Sequence, residues 1–293
     1  LNVLELFCGI GGFADAAGNR AHIVAAVDQS PHALAVYRLN HPETPAVEWN
    51  LETVTAEDLR AFPADMWWLS PPCQPYSVRG HRRDLDDPRA LSFRNLLEIL
   101  QVDPPLHLGL ENVEGFAESR ARKRLLEILD AGGFRIAERR LCPMELGIPS
   151  RRPRYYLIAS REELLDPPPP TVREEPLAYY LDEPPSPGLF LPAERIERFR
   201  RGLRVLDPCN SSSYTTCFTS SYGRAAMHSG AFLADGGRLR HFSPDEILRL
   251  LGFPRGFHWP GGMGLRKRWH LAGNSISVFA LREVLRVLPA FSS

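Results

Sequence analysis

Through the first half of the chain, short apolar runs alternate with longer stretches of helical period. Residues 3–7 read as a strand, followed by a glycine turn and the region 13–17. A second strand over 23–27 ends in Asp28, and 31–39 has helical spacing with Pro31 suited to a first turn. A strand over 66–69 runs into the proline-rich turn 71–75. The spacing then predicts a helix over 91–100, a strand over 106–110, a helix over 122–131 closed by Gly132-Gly133, and a late strand over 155–159. Strands alternating with helices predict an α/β architecture with a mainly parallel sheet.

At Asp166-Pro167-Pro168-Pro169-Pro170 the rhythm stops, and the chain becomes rich in proline and charge. This predicts a first domain over 1–165, completed by 264–293, and a smaller domain over 166–263. Within the latter, 244–251 reads as a helix announced by Ser243, with Glu246 three residues on. The apolar spacing of 278–288 predicts a final amphipathic helix able to pack on the first domain.

Composition narrows the setting. No apolar run approaches the ~18 residues of a membrane span, and the first residues lack the basic and apolar regions of a leader. The five cysteines, Cys8, Cys73, Cys142, Cys209 and Cys217, are odd in number and form no CxxC pair. That pattern argues against a disulfide framework or a zinc site and for a reducing, cytoplasmic setting with no metal. Thirty-five basic residues balance 35 acidic ones, so no general basic coat is expected. The positive charge is almost all arginine, clustered at 79–83, 151–154, 195–204 and 266–268. Arginine suits bidentate contact with phosphates and bases. A single chain is expected to act alone.

Candidate chemistry collects at predicted strand ends. Phe7-Cys8-Gly9-Ile10-Gly11-Gly12-Phe13 follows the first strand, where glycines let the backbone turn and approach a ligand. Asp28 ends the next strand, where open α/β sheets place a carboxylate for a ribose. The GxGG spacing departs from the dinucleotide fingerprint, so a nucleoside cofactor without a pyrophosphate fits at least as well. Ser70-Pro71-Pro72-Cys73-Gln74-Pro75 follows the strand over 66–69, and its prolines hold Cys73 at low entropic cost. Glu111-Asn112-Val113 is expected just beyond the strand over 106–110, as a loop charge or a proton donor. Arg152 and Arg154, spaced two apart, are expected to face one side and converge on one ligand.

These blocks, with Leu251-Gly252-Phe253-Pro254 and Gly273-Asn274-Ser275, resemble the cytosine-5 methyltransferases along nearly the whole chain. The resemblance implies a Rossmann-like S-adenosylmethionine-dependent methyltransferase fold with a mainly parallel sheet and a smaller target-recognition domain. It implies S-adenosylmethionine as cofactor, held by Phe7, Gly9, Gly11, Asp28, Asn50, Leu51, Pro71 and Asn274. The catalytic set it implies is Cys73, Glu111, Arg152 and Arg154: Cys73 attacks carbon 6 of cytosine, Glu111 serves N3, Arg154 contacts O2, and Arg152 braces Glu111 or the base. Many DNA-specific members carry glutamine ahead of the arginine pair, where this chain has Ser150. Cys217-Phe218-Thr219, followed by Ser221-Tyr222-Gly223, is similar to the hallmark of the Dnmt2 group. Members of that group methylate cytosine 38 in the anticodon loop of tRNA-Asp, so tRNA is the implied partner. Gln74, Cys217 and Thr219, with Arg79 and Arg82 of the basic segment next to Cys73, are the substrate-side candidates; Cys217 is read equally well as packing. The alternatives are a DNA (cytosine-5-)-methyltransferase of a restriction-modification or orphan system, and a binding protein on a methyltransferase fold.

Overall fold

A computed structural model describes the chain except residues 77–82, 168, 171, 200, 226 and 293. The chain forms two compact units. The first comprises 1–141, 153–169 and 281–293, and the second comprises 142–152 and 170–280.

The first unit is built on a sheet of seven strands among the described residues. These are β1 (Asn2–Leu6), β2 (His22–Asp28), β3 (Ala46–Glu48), β4 (Met66–Leu69), β5 (His107–Val113), β6 (Arg135–Leu141) and, after the short β7 (Ser150–Arg151) of the second unit, β8 (Arg154–Ser160). The spatial order is β3-β2-β1-β4-β5-β8-β6. The first five in this order run parallel to one another, and β8 runs antiparallel to both β5 and β6. The reversal has a consequence for the site. The first residue of β8 lies at the sheet edge where β1, β4 and β5 end, which is where open α/β sheets bind ligands.

The central strands are apolar on both faces, as expected for a parallel sheet covered by helices. Val3, Leu4, Leu6, Met66, Trp67, Trp68, Leu69, Leu108 and Leu110 are all buried. Gly109 is required by this packing, because a Cβ there would sit 2.3 Å from the Trp68 ring. Helices α1 (Gly12–Ala17), α2 (Pro31–Asn40), α3 (Ala56–Arg60), α4 (Leu91–Val102) and α5 (Arg120–Ala131) form the crossovers. Phe13 of α1 stacks on Trp68 at 5.0 Å. Pro31 occupies the first turn of α2, whose cap is the Ser30 hydroxyl.

In the second unit, β7 pairs with β10 (Thr215–Thr216), while β9 (Val205–Leu206), β11 (Phe232–Asp235) and β12 (Arg238–His241) form a small sheet. Its helices are α6 (Ala193–Phe199), α7 (Pro244–Leu251) and α8 (Leu265–Asn274); α9 (Val278–Leu285) carries the chain back to the first unit. The expected cap of α7 is present as a reciprocal pair. The Ser243 hydroxyl accepts from the Glu246 N–H at 3.0 Å, and the Glu246 carboxylate accepts from the Ser243 N–H at 2.7 Å.

The division departs from the expected boundaries at three stretches: 166–169 groups with the first unit, while 142–152 and 264–280 group with the second. The physical reason for 264–280 is Trp269 of α8. It is buried, its Nε1 donates to the Phe242 carbonyl at 2.8 Å, and its ring packs on Tyr222 and His241. Among the described residues no helix is long and apolar enough to cross a membrane.

Candidate active site

The turn after β1 is left-handed at three places: Phe7 at φ 58°, Gly9 at φ 56° and Gly11 at φ 95°. Phe7 holds that conformation without being glycine, a cost of order 1 kcal/mol that turns at functional sites commonly carry. Gly11 is demanded twice, since a Cβ would also meet the His41 ring at 2.6 Å. Above Gly9 the space is open, with no atom within 4 Å of a would-be Cβ. The Gly9 N–H donates to Asp28 Oδ2 at 2.9 Å, and the Ser30 N–H donates to Oδ1 at 2.8 Å. The Gln29 N–H also bonds to this carboxylate, which retains accepting capacity for a ligand hydroxyl. Burial pushes the Asp28 carboxyl up, against the lowering effect of these N–H donors.

The end of β3 lies beside this carboxylate, because the Trp49 N–H donates to the Asp28 carbonyl at 3.2 Å. That places Asn50 and Leu51 just past the adjoining strand end. Asn50 Oδ1 accepts from the Glu52 N–H at 3.0 Å, and the Asn95 amide holds the Leu51 carbonyl at 3.0 Å. An open cradle, a carboxylate at its edge and a neighbouring turn suit a nucleoside ligand. The residues fit S-adenosylmethionine.

Pro71, Cys73 and Gln74 follow β4 in a turn closed by the Tyr76 N–H on the Cys73 carbonyl at 3.1 Å. The buried Asn112 clips this turn to the neighbouring strand by donating from Nδ2 to the Pro71 carbonyl at 3.1 Å. A second brace is Gly115, where a Cβ would lie 2.2 Å from the Tyr76 carbonyl. Cys73 is half-buried, whereas Cys8 is buried and its thiol is pushed up by burial. A thiol so desolvated is a packing group.

Glu111 and Asn112 belong to β5 itself, which runs three residues beyond the expected strand end. Glu111 pairs in register with Tyr156, so Arg154, two residues back along β8, shares its face. The Arg154 guanidinium meets the Glu111 carboxylate at 3.2 Å. Arg152 is expected to brace Glu111 or the base, and among the described residues it forms no bond to Glu111. Arg152 lies in the second unit and donates to the Cys217 sulfur at 3.1 Å and the carbonyls of Phe218 and Gly273 at 3.2 and 3.3 Å. It also donates to the Ser275 carbonyl. The chain passes from the second unit to the first between 152 and 153.

The remaining candidates divide the same way. Cys217, Thr219 and Asn274 belong to the second unit. The Thr219 hydroxyl meets that of Ser221 at 2.7 Å, and Gly273 packs so closely on the Thr219 carbonyl that a Cβ would lie 2.5 Å from it. The Asn274 amide is 3.3 Å from His270 Nε2. Arg79 and Arg82 lie outside the described residues. Sequence reasoning missed Arg89, which Asp87 grips through its backbone N–H, Nε and Nη2 at 3.0, 2.8 and 2.6 Å. Arg89 lies within electrostatic range of Cys73. An acid–x–arginine pair shortly after the Cys73 loop was the available signal.

Known proteins resemble the chain over most of its length. Residues 1–181 match the family described as C-5 cytosine-specific DNA methylase. The tRNA (cytosine(38)-C(5))-methyltransferase of Spodoptera frugiperda is 30% identical, with 98% of each chain covered. The methyltransferase EhMeth of Entamoeba histolytica has a solved structure that superposes with a TM-score of 0.91 at 27% identity, covering 98% of this chain and 97% of that one. Dnmt2 of Schizosaccharomyces pombe superposes with a TM-score of 0.85 at 29% identity, covering 99% of both. The chain therefore belongs to the C-5 cytosine-specific methylase family, in its Dnmt2-like branch, and is an S-adenosylmethionine-dependent cytosine-5 methyltransferase.

Proposed function

We propose that the chain methylates carbon 5 of a cytosine in RNA, namely cytosine 38 in the anticodon loop of tRNA-Asp, from within the cytoplasm. The single observation that carries the chemistry is the Glu111–Arg154 pair on one face of β5 and β8, beside the turn that presents Cys73. The RNA assignment is supported by the tRNA (cytosine(38)-C(5))-methyltransferase matched over 98% of its length. It is also supported by Ser150 ahead of the arginine pair.

Carbon 5 of cytosine is a weak nucleophile. Addition of the Cys73 sulfur at carbon 6 breaks the ring's aromaticity and makes carbon 5 enamine-like. Ring electrons move toward N3 and O2 as the bond forms. Glu111 supplies the proton at N3, and the Arg154 guanidinium stabilises the charge gathering at O2. Arg89, held by Asp87, adds positive potential near the attacking sulfur. When bound, S-adenosylmethionine supplies the electrophilic methyl that carbon 5 takes up; Phe7, Gly9, Gly11, Asp28, Asn50, Leu51, Pro71 and Asn274 are the residues proposed to hold it. Loss of the carbon 5 proton to solvent water leaves its bonding pair to form the carbon 5–carbon 6 double bond and expel the Cys73 thiolate, and the N3 proton returns to Glu111. Arg152 serves as a positioning residue for 217–218 and 273–275. A cytosine already unstacked in a loop costs least to enclose.

The test is transfer of a labelled methyl group from S-adenosylmethionine to total tRNA and to duplex DNA in parallel. Label is expected on tRNA and absent with Cys73→Ala. Label on DNA alone would move the protein to the DNA-modifying members of its family.

A further inference from the structure

The arginine-rich stretch 193–204 of the second unit has no part in the chemistry above. It holds five arginines against Glu194 and Glu197, a net charge of +3. Arg198, Arg201 and Arg204 are exposed, and no ion pair forms with them among the described residues. Their surroundings are aromatic as well as basic. Arg198 lies over the Phe199 ring at 5.2 Å, and Arg204 lies over the half-buried Tyr214 ring at 4.8 Å. Arg204 also reaches the Tyr214 carbonyl at 3.4 Å, so the two residues are held together as one ledge.

The ledge rests on fixed backbone. The Arg204 carbonyl accepts from the Phe232 N–H at 2.8 Å, at the edge of the β9–β11 pairing. Tyr214 directly precedes β10, whose Thr215 N–H is tied to the Pro149 carbonyl at 2.9 Å. Arg195 anchors α6 on the Arg224 carbonyl at 3.1 Å, just past Cys217-Phe218-Thr219. An arginine stacked on a tyrosine keeps its planar face and donor edge together. Exposed cations beside it neutralise phosphates. Unpaired nucleotides need this combination, since their bases stack on aromatic or guanidinium planes while their backbone seeks positive charge.

We propose that Arg204 and Tyr214, with Arg198 and Arg201 of the same stretch, form a binding ledge for unpaired nucleotides of the RNA substrate. The ledge rests on the reading that RNA is the substrate. Duplex DNA, with its bases stacked inside, would engage only the arginines.

The experiment measures binding of a tRNA-Asp transcript to the whole chain over a salt series, alongside methyl transfer to the same transcript. Tyr214→Ala is expected to weaken binding about tenfold, and Tyr214→Phe to retain it. Arg204→Ala is expected to weaken binding and to flatten the slope of log affinity against log salt by roughly 0.7. Binding of S-adenosylhomocysteine to each variant, at the wild-type affinity, reports an intact fold. Wild-type methylation of the transcript with unchanged affinity and slope in Tyr214→Ala and Arg204→Ala would overturn the ledge and leave the RNA reading standing. A wild-type chain that does not methylate the transcript fails the RNA reading and the ledge together.

Discussion

Arg152 and Arg154 look interchangeable in the sequence, yet their surroundings separate them. Arg154 faces the Glu111 carboxylate at a strand start, while Arg152 is buried among the Cys217 sulfur and backbone carbonyls. Replacing each by lysine keeps the charge and removes the planar fork. Arg154→Lys is expected to lower kcat/KM by about 10²–10³ with little change in melting temperature, as loss of one transition-state donor does. Arg152→Lys leaves buried acceptors without donors, so it is expected to cost about 2–5 kcal/mol of stability. Melting curves and steady-state kinetics on both variants check this, and a reversed pattern would return Arg152 to the chemistry. The RxR pattern was legible in the sequence because both residues lead into an apolar strand. Their separation was not, since it depends on where the chain leaves one unit for the other. The same limit hid Asn112, whose value lies in the Pro71 carbonyl 41 residues away.

At the scale of elements, β1 carries a carboxyl group in the interior. Glu5 is buried, accepts the Tyr37 hydroxyl at 2.9 Å, and is pushed up to about 8 by burial, with Asp15 and Asp28 adding in the same direction. Asp15 is itself raised to about 7 by burial. The sign follows from proton linkage. Below the ordinary value of 4.5, Glu5 is protonated whether the chain is folded or not. Between 4.5 and about 8 the unfolded chain releases the proton and the folded chain keeps it, so stability falls as pH rises through that window. Glu5→Gln keeps an acceptor for Tyr37 and removes the titration. Its melting temperature is expected to match the wild type near pH 4.5 and to exceed it increasingly toward pH 8; equal melting temperatures at pH 8 would refute this. Elements with strong periodicity were readable: β4 and α7 fall where the pattern placed them. β6 escaped because Arg135-Ile136-Ala137-Glu138-Arg139-Arg140-Leu141 lies at the sheet edge and is charged along its length. β3 is only three residues long, and the direction of β8 leaves no mark in its composition.

At the scale of the whole molecule, each unit is assembled from stretches distant in the sequence. In the second unit α8 is part of the core, because the Trp269 ring occupies the space over Gly223, whose Cβ would lie 2.2 Å from it. Trp269→Ala is expected to cost about 3–5 kcal/mol. Denaturant titration checks it, and a loss below about 1 kcal/mol would mean that the cluster around Tyr222 closes without the indole. The proline-rich change at 166–170 made the onset of the second unit visible, since composition shifts there. Its borrowing of 142–152 was not visible, because that stretch is tied in by β7 pairing with β10 and by one guanidinium.

None of the second unit's residues supplies a strand to the seven-stranded sheet. Replacement of that unit therefore leaves the order of the sheet untouched. The graft has two pieces, however. A chimaera that swaps 170–280 alone would keep a host β7 and a host Arg152 facing foreign partners, whereas one that also carries 142–152 brings its own.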